Sequence, residues 1–445
     1  MRITFVRPNM ITGRSHDAME PLALAILAGL TPPHVDVVMY DERLEPVPMD
    51  EPTDLVAMSV DTFSSRRAYE MAAEYHRRGI PVVMGGAHPT LCTEEALSYA
   101  DTLVVGDAED TWPELVGDAE RGELKRLYHS RFPPLANTPI NRGVFGRRDY
   151  GPIHITQFGR GCPHNCDFCS SRVFSGDRIR HRMPDDVVRD IQNTGGSFFL
   201  LADDNLFADR SAGEALCMAI KPLKVRWACQ ISIDLACDAD LVEAMADSGC
   251  IMILVGFETV SRENLLQMRK GWNDQHASYD EVAHIINSNG IMLYGTFVLG
   301  YDADTPDTVQ ACVDLAVRLK FALANFNLLI PFPGTSLYER LKKEQRLLYD
   351  PWWLHPDYRF GKAVFRPKSM TVEQLEQGCL SARREFNSIG NISRRALDWR
   401  ANMRNSRIYW VTNLASRHEL QRKQGARLGM EDSVKPLFQN EAHAG

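Results

Sequence analysis

Along the first part of the chain, short apolar runs alternate with amphipathic stretches in a strand-then-helix rhythm. Ile3–Val6, Val35–Tyr40, Leu55–Val60, Val82–Met84 and Thr102–Val105 read as strands, and Pro21–Leu30, Ser65–Arg78 and Glu94–Tyr99 as helices. Such alternation predicts a doubly wound parallel sheet of Rossmann-like type. From Arg126 to Tyr150 the pattern lapses into Pro, Asn and Gly (FPPLANTP, then NRGVFGRRDYGP), the composition of a connector. Beyond it the rhythm resumes at Pro152–Thr156, Ser197–Ala202, Trp227–Ile233, Ile251–Gly256, Ile291–Leu299 and Ala324–Ile330. Six strands with helices between them predict an incomplete β/α barrel. After Arg346 come an aromatic segment (DPWWLHPDYRF), helical patterns from Thr371 to about Gly425, and a polar tail. The expected organisation is a Rossmann-like domain over 1–140, a partial barrel over 141–345, a helical region over 346–430 and a loose tail over 431–445.

Composition narrows the class. A length of 445 residues suits two or three domains. The longest apolar stretch, Pro21–Leu30, is half of what a bilayer span needs. The chain opens on MRITFVRP, which enters a strand without a signal-like apolar region, so the expected compartment is the cytoplasm. A net charge of −8 argues against a whole-chain grip on nucleic acid, and no nucleic-acid partner is expected. Arginines cluster between Arg383 and Arg427, however, where a solvated helix face, an anionic substrate or a peripheral contact with lipid headgroups are all open readings. No GxxxxGK[ST], HExxH or GxSxG occurs, which leaves nucleotide hydrolysis, zinc proteolysis and elbow-serine hydrolysis without a motif.

The informative segment is Gly159–Ser171, GRGCPHNCDFCSS, in which Cys162, Cys166 and Cys169 are spaced CxxxCxxC directly after an expected strand. Three thiolates on such a loop suit an iron-sulfur cluster with one iron left open to another ligand. Three other readings compete: a zinc site completed by His164 or a distant histidine, buried unreactive cysteines, and an electron-transfer cluster with a remote fourth ligand. Placement at the C-terminal end of a barrel strand favours chemistry, because that face carries the reactions of β/α barrels.

At these residues the chain resembles the radical S-adenosylmethionine superfamily, and VVMGGAHPT (82–90) with VVGDAEDT (104–111) is similar to its cobalamin-binding subgroup. The resemblance implies that Cys162, Cys166 and Cys169 hold a [4Fe-4S] cluster whose open iron chelates S-adenosylmethionine. Reductive cleavage of the sulfonium would then give a 5′-deoxyadenosyl radical that abstracts an unactivated hydrogen. Phe168 would help seat the adenine, and Asp203 and Asp204 of LADDNLF would accept from the amino group, with helix capping by Asp204 as the bland alternative. Gln230, Ser232 and Asp234 of WACQISID would share one strand face, the first two near the ribose and carboxylate. Glu258 of LVGFET is a ribose or ammonium contact, or else a salt-bridge partner of Arg269 or Lys270, and the backbone at Leu329 and Ile330 would lie near the adenine.

For cobalamin the implied contacts are Ser59, Thr62, Gly85, Gly86 and Gly106, which in an empty scaffold would be turn and packing residues. The Asp-x-His-x-x-Gly loop that ligates cobalt in other cobalamin proteins is missing, and His16 lacks its spacing. His88 reads as a corrin contact or a satisfied surface histidine. Trp352, Trp353, His355, Tyr358 and Phe360 read as a lid over the barrel or as plain packing. With cobalamin, the resemblance implies methyl transfer to an unactivated carbon of a small-molecule, lipid-like or tetrapyrrole-like substrate. Without it, hydrogen abstraction with rearrangement or oxidation, or aminocarboxypropyl transfer, would follow. An electron donor such as flavodoxin or ferredoxin is implied in either case. A metal-stabilised binding scaffold without redox chemistry is the rival class.

Overall fold

The structure, a computed structural model, describes residues 1–15, 18–176, 178–274, 278–431 and 434–438. His16 and the end of the tail, 439–445, lie outside the described residues. The first sheet contains β1 (Arg2–Arg7), β2 (Asp36–Asp41), β3 (Leu55–Ser59), β4 (Val82–Gly85), β5 (Thr102–Val105) and β6 (Leu127–His129). Their spatial order is β2-β1-β3-β4-β5-β6, all parallel. Burial on both faces explains the near-continuous apolar strands: Phe5 packs edge-on to Trp112 on one side, and Val56 and Met58 join Tyr69 and Met71 on the other.

Two features differ from the sequence expectation. The connector opens with a sixth strand, β6, and helix Trp112–Arg121 precedes it. Three residues are too few to display alternation, and only Tyr128 of β6 is buried, so edge pairing with β5 creates this strand.

The second sheet contains β7 (His154–Thr156), then, after a two-stranded antiparallel ribbon of β8 (Gly159–Arg160) and β9 (Arg180–His181), β10 (Phe198–Leu201), β11 (Arg226–Ile231), β12 (Cys250–Glu258), β13 (Met292–Leu299) and β14 (Leu323–Leu328). Its order, β7-β10-β11-β12-β13-β14, is a parallel walk around a six-stranded partial barrel. Alternation sorts the side chains: Ile253, Val255 and Phe257 pack under the outer helices, while Met252 and Leu254 face a lumen. Helix Ser406–Lys423 brings Ile408 and Thr412 to that lumen.

The C-terminal region beyond the barrel is helical, as expected, with helices Val372–Phe386, Ile389–Ala396 and Ser406–Lys423. Arg395 is fully buried, donating to the carbonyls of Phe321, Ala322 and Phe386, so one member of the arginine run is internal scaffolding. The aromatic segment packs rather than forming a lid. Trp352 and Trp353 are buried, Trp352 against Phe63 at 5.3 Å between centroids, and Trp353 donates to Glu95 at 2.9 Å. This wedge joins the two sheets' domains.

Candidate functional site

Two turns fix the cysteine loop at the C-terminal end of β7. Asp203, just past β10, accepts from the backbone amides of Phe158, at 3.2 Å, and Gly159. Asp204 accepts from the amide of Gly161 at 3.1 Å. Gly161 has φ +98°, and a Cβ there would lie 2.4 Å from the carbonyl oxygen of Arg178, so only glycine fits before Cys162. The far side of the loop is held by Asp167, whose amide donates to Met268 at 3.1 Å and whose carboxylate receives the Tyr301 hydroxyl.

Cys162, Cys166 and Cys169 are half-buried and unpaired. Burial pushes the Cys166 thiol up to about 12 despite the pull of Lys270, and raises Cys162 as well. Thiols so poised stay protonated near neutrality until a metal displaces the proton. They lie within electrostatic reach of one another. Among the described residues no three His, Cys, Asp or Glu side chains converge as a mononuclear ion requires, so the fit to a cluster rests on thiol chemistry and placement rather than on a preformed cage. His164 does not complete a set: it stacks on Trp272 at 3.9 Å and faces Asp234 at 3.6 Å. Both facing atoms, Nε2 of His164 and Oδ1 of Asp234, are buried without a hydrogen-bond partner among the described residues. Burial opposes ionisation of Asp234, yet His164 and Ser232 outweigh it and hold the carboxyl at about 2.

The remaining expected contacts fall into place unevenly. Gln230 lines the lumen and donates to the backbone oxygen of Asp204 at 3.1 Å. The single strand face expected for Gln230, Ser232 and Asp234 does not form, because β11 ends at Ile231 and the last two belong to the start of helix Ile233–Ala236. Asn205, unremarked in the sequence, ends the strand there: its Oδ1 takes the Ser232 amide at 3.1 Å, and its Nδ2 meets the Ser232 hydroxyl at 3.0 Å and Cys162 Sγ at 4.0 Å.

Asp204 caps no helix; Asp209 caps Arg210–Ile220 instead. Burial lifts the Asp203 carboxyl to about 7, against the two backbone amides that stabilise its charge. Phe168 packs edge-on to Tyr301 at 6.4 Å. Leu329 is buried past the end of β14, its amide on Leu299.

Glu258 forms the salt bridge to Lys270, at 2.7 Å and buried. It sits at φ +63° beside a register shift in β12, a conformation that costs a non-glycine residue energy and clusters at functional sites. The pair crosses Gly256, where a Cβ would lie 2.2 Å from Glu258 Oε1.

A second cavity, of about 280 Å³, lies at the C-terminal ends of the first sheet. Ser59, Gly85, Gly86 and Gly106 line it with Ala57, Val104 and Trp112, while Gln157, Arg160, Phe174 and Ala202 close it from the barrel side. Thr62 does not reach it; its hydroxyl lies 3.4 Å from His88 Nδ1 in a buried cluster with Tyr69 and Glu95, so His88 is neither a surface residue nor a cavity wall. Gly86 (φ +103°) and Gly106 (φ +84°) are required by the backbone, since a Cβ would meet Val60 O at 2.8 Å and Ser130 Cβ at 2.9 Å. At Gly85 the nearest atom would be 3.5 Å away, leaving the cavity itself as what the missing side chain opens.

The barrel lumen, about 490 Å³, is lined by Asp203, Asp204 and Gln230 at the loop end and by Leu200, Met252, Leu254, Tyr294, Leu323 and Ile408 below. Ala202 lines both cavities. Across their junction Arg160, two residues before Cys162, pairs with Asp107 at 3.0 Å and Glu109 at 2.7 Å, both beyond β5. Arg180 of β9 also binds Asp107. The signal for this network in the sequence was thin: one arginine between two glycines.

The sequence model of the radical SAM superfamily matches residues 156–316, and that of the B12 binding domain matches residues 10–116. The chain belongs to the radical SAM superfamily and carries a B12-binding domain. This radical SAM protein is 29% identical over 379 residues to bacteriochlorophyllide d C-12(1)-methyltransferase of Chlorobaculum tepidum, covering 82% of each chain. It is 26% identical to the anaerobic magnesium-protoporphyrin IX monomethyl ester cyclase of Cereibacter sphaeroides, covering 87% of this chain and 70% of the other. Its fold is shared with the radical S-adenosylmethionine methyltransferase TsrM of Kitasatospora setae, with cobalamin and [4Fe-4S] cluster bound, at TM-score 0.62 and 18% identity, covering 77% of this chain and 75% of that one. In this radical SAM protein the matched B12-binding domain contains the smaller cavity's glycines, and the matched radical SAM segment contains the cysteine loop.

Proposed function

We propose that this chain transfers a methyl group to an unactivated carbon of an apolar, lipid-like or tetrapyrrole-like substrate. The observation that carries the reading is the shared wall at Ala202: the glycine-lined cavity and the largely apolar lumen abut beside the cysteine loop. When bound, a [4Fe-4S] cluster with S-adenosylmethionine would supply a reductively generated radical, and cobalamin a methyl donor.

Cys162, Cys166 and Cys169 would hold the cluster, and Phe168 and the backbone at Leu329 would border the cosubstrate. Asp204, Gln230, Ser232 and Glu258 would meet its polar groups, while Asp203 acts chiefly by holding the loop's backbone. Ser59 and Gly85 would border the corrinoid; at about 280 Å³ their cavity admits part of that cofactor rather than all of it. Met252, Leu254 and Tyr294 would exclude water around an apolar substrate. The labour would divide as 1–140 for the corrinoid, 141–345 for the cluster and substrate, and 346–430 for closure of the lumen, with an external flavodoxin or ferredoxin as electron source. The names of the methyltransferase relatives support this reading.

The test is anaerobic purification, extraction for corrinoid, and reaction with S-adenosylmethionine labelled in its methyl group. Bound corrinoid and label in an apolar product are expected; protein free of corrinoid after supply, with no label transferred, would refute methyl transfer. The cyclase-named relative favours a second reading, radical oxidation or ring closure at the same site. It predicts 5′-deoxyadenosine and a changed substrate that carries no labelled methyl.

A further inference from the structure

Residues 389–418 form a surface unlike the rest of the molecule. Besides the buried Arg395 they contain five arginines and one aspartate in a chain of net charge −8. Five of the twelve large hydrophobic side chains that are exposed among the described residues fall here: Ile389, Leu397, Trp399, Val411 and Leu414. Trp399 is 74% exposed and Leu397 and Val411 62% each, a concentration of exposed apolar side chains within thirty residues of sequence. On helix Ser406–Lys423 the exposed residues Arg407, Val411, Leu414 and His418 recur at helical spacing, so they share one face. Tyr409 and Asn413, on the other side, are buried.

We propose that this face docks on an anionic lipid bilayer, with Trp399, Val411 and Leu414 entering the interface and the arginines engaging headgroups. On the exposed side of the helix Val411 and Leu414 lie between Arg407 and His418, and Trp399 is exposed on the segment that leads into it; aliphatic and aromatic side chains presented beside cations are what an interfacial lipid contact uses. The charge selects an anionic partner, and the protruding aliphatic side chains select lipid over nucleic acid. An acidic electron donor fits less well. The turn before helix Ser406–Lys423 packs on Gly290, ahead of β13, whereas the cysteine loop lies beyond the opposite ends of the strands. Eight residues of β13 separate these levels, roughly 26 Å at 3.3 Å per residue. The same helix brings Ile408 and Thr412 to the apolar lumen.

The test is sedimentation of the full-length protein with vesicles of phosphatidylcholine alone and of phosphatidylcholine mixed with phosphatidylglycerol. Expected are binding to the mixed vesicles only, weakening with salt, and binding roughly thirty-fold weaker in the Arg394→Gln/Arg407→Gln double variant. Val411→Asp/Leu414→Asp should lose binding while its circular dichroism and iron content match the parent. Failure to bind mixed vesicles, equal binding to both compositions, or unchanged binding by both double variants would overturn the proposal. So would a dimer in solution that the Val411→Asp/Leu414→Asp variant dissolves, since a second copy would then be the occupant.

Discussion

At the scale of single residues, the account turns on groups that hold the cysteine loop rather than on the cysteines alone. Asp203 is held at about 7 by burial, above the ordinary aspartate value of about 3.9. A carboxyl raised on folding favours the folded state while it is protonated, and that contribution is lost as pH rises from about 4 to about 7. Relative to the parent, Asp203→Asn should therefore show a flatter dependence of urea-unfolding midpoint on pH across that window; parallel curves would contradict it. Asn205→Ala should cost about 1–3 kcal/mol by leaving the Ser232 amide without its partner, measured by the same unfolding.

The spacing of Cys162, Cys166 and Cys169 marks them in the sequence as a candidate ligand set, and the Glu258–Lys270 alternative is the ion pair that forms. Asn205 was not legible there, because a polar residue after paired aspartates carries no periodic signal and its function comes from a contact with Ser232, 27 positions away. Thr62 and His88 misled for the complementary reason. Their neighbours in sequence line the cavity, but both side chains turn into a buried hydrogen-bonded cluster with Tyr69 and Glu95.

At the scale of elements, local pattern gave most strands of both sheets to within a residue or two, since each is an apolar run between turn signals. What escaped was decided by pairing and termination: β6 exists through β5, and β11 stops early because Asn205 takes the Ser232 amide. The elements on either side of the cavity junction are tied by Arg160 and Arg180 to Asp107 and Glu109, all largely buried, where an ion pair is screened little. Glu109→Gln should weaken that tie by about 1–3 kcal/mol, seen as faster hydrogen exchange at the amides of Gly159 to Cys162. Unchanged exchange there would show that the ribbon β8–β9 holds its place without the first sheet's domain.

At the scale of the whole molecule, the two cavities belong to different sheets and are brought together by the wedge of Trp352 and Trp353 and by the arginine network. No periodicity in the sequence reports that arrangement, because it rests on contacts between residues hundreds of positions apart, such as Trp353 with Glu95. Filling the smaller cavity should separate its cofactor from the cluster: Gly85→Leu is expected to lose corrinoid, measured by extraction, while keeping the parent's iron content. Loss of both together would mean that the cavities are not independent binding sites. No helix among the described residues is long and apolar enough to cross a membrane.

The most direct test of the central claim is iron content and reductive formation of 5′-deoxyadenosine, measured side by side on anaerobically purified parent and Cys166→Ala proteins. The account predicts about four iron per chain and cosubstrate cleavage in the parent, with both lost in the variant. Iron content and cleavage that survive the substitution, or a parent that holds a single zinc and leaves S-adenosylmethionine intact, would contradict it.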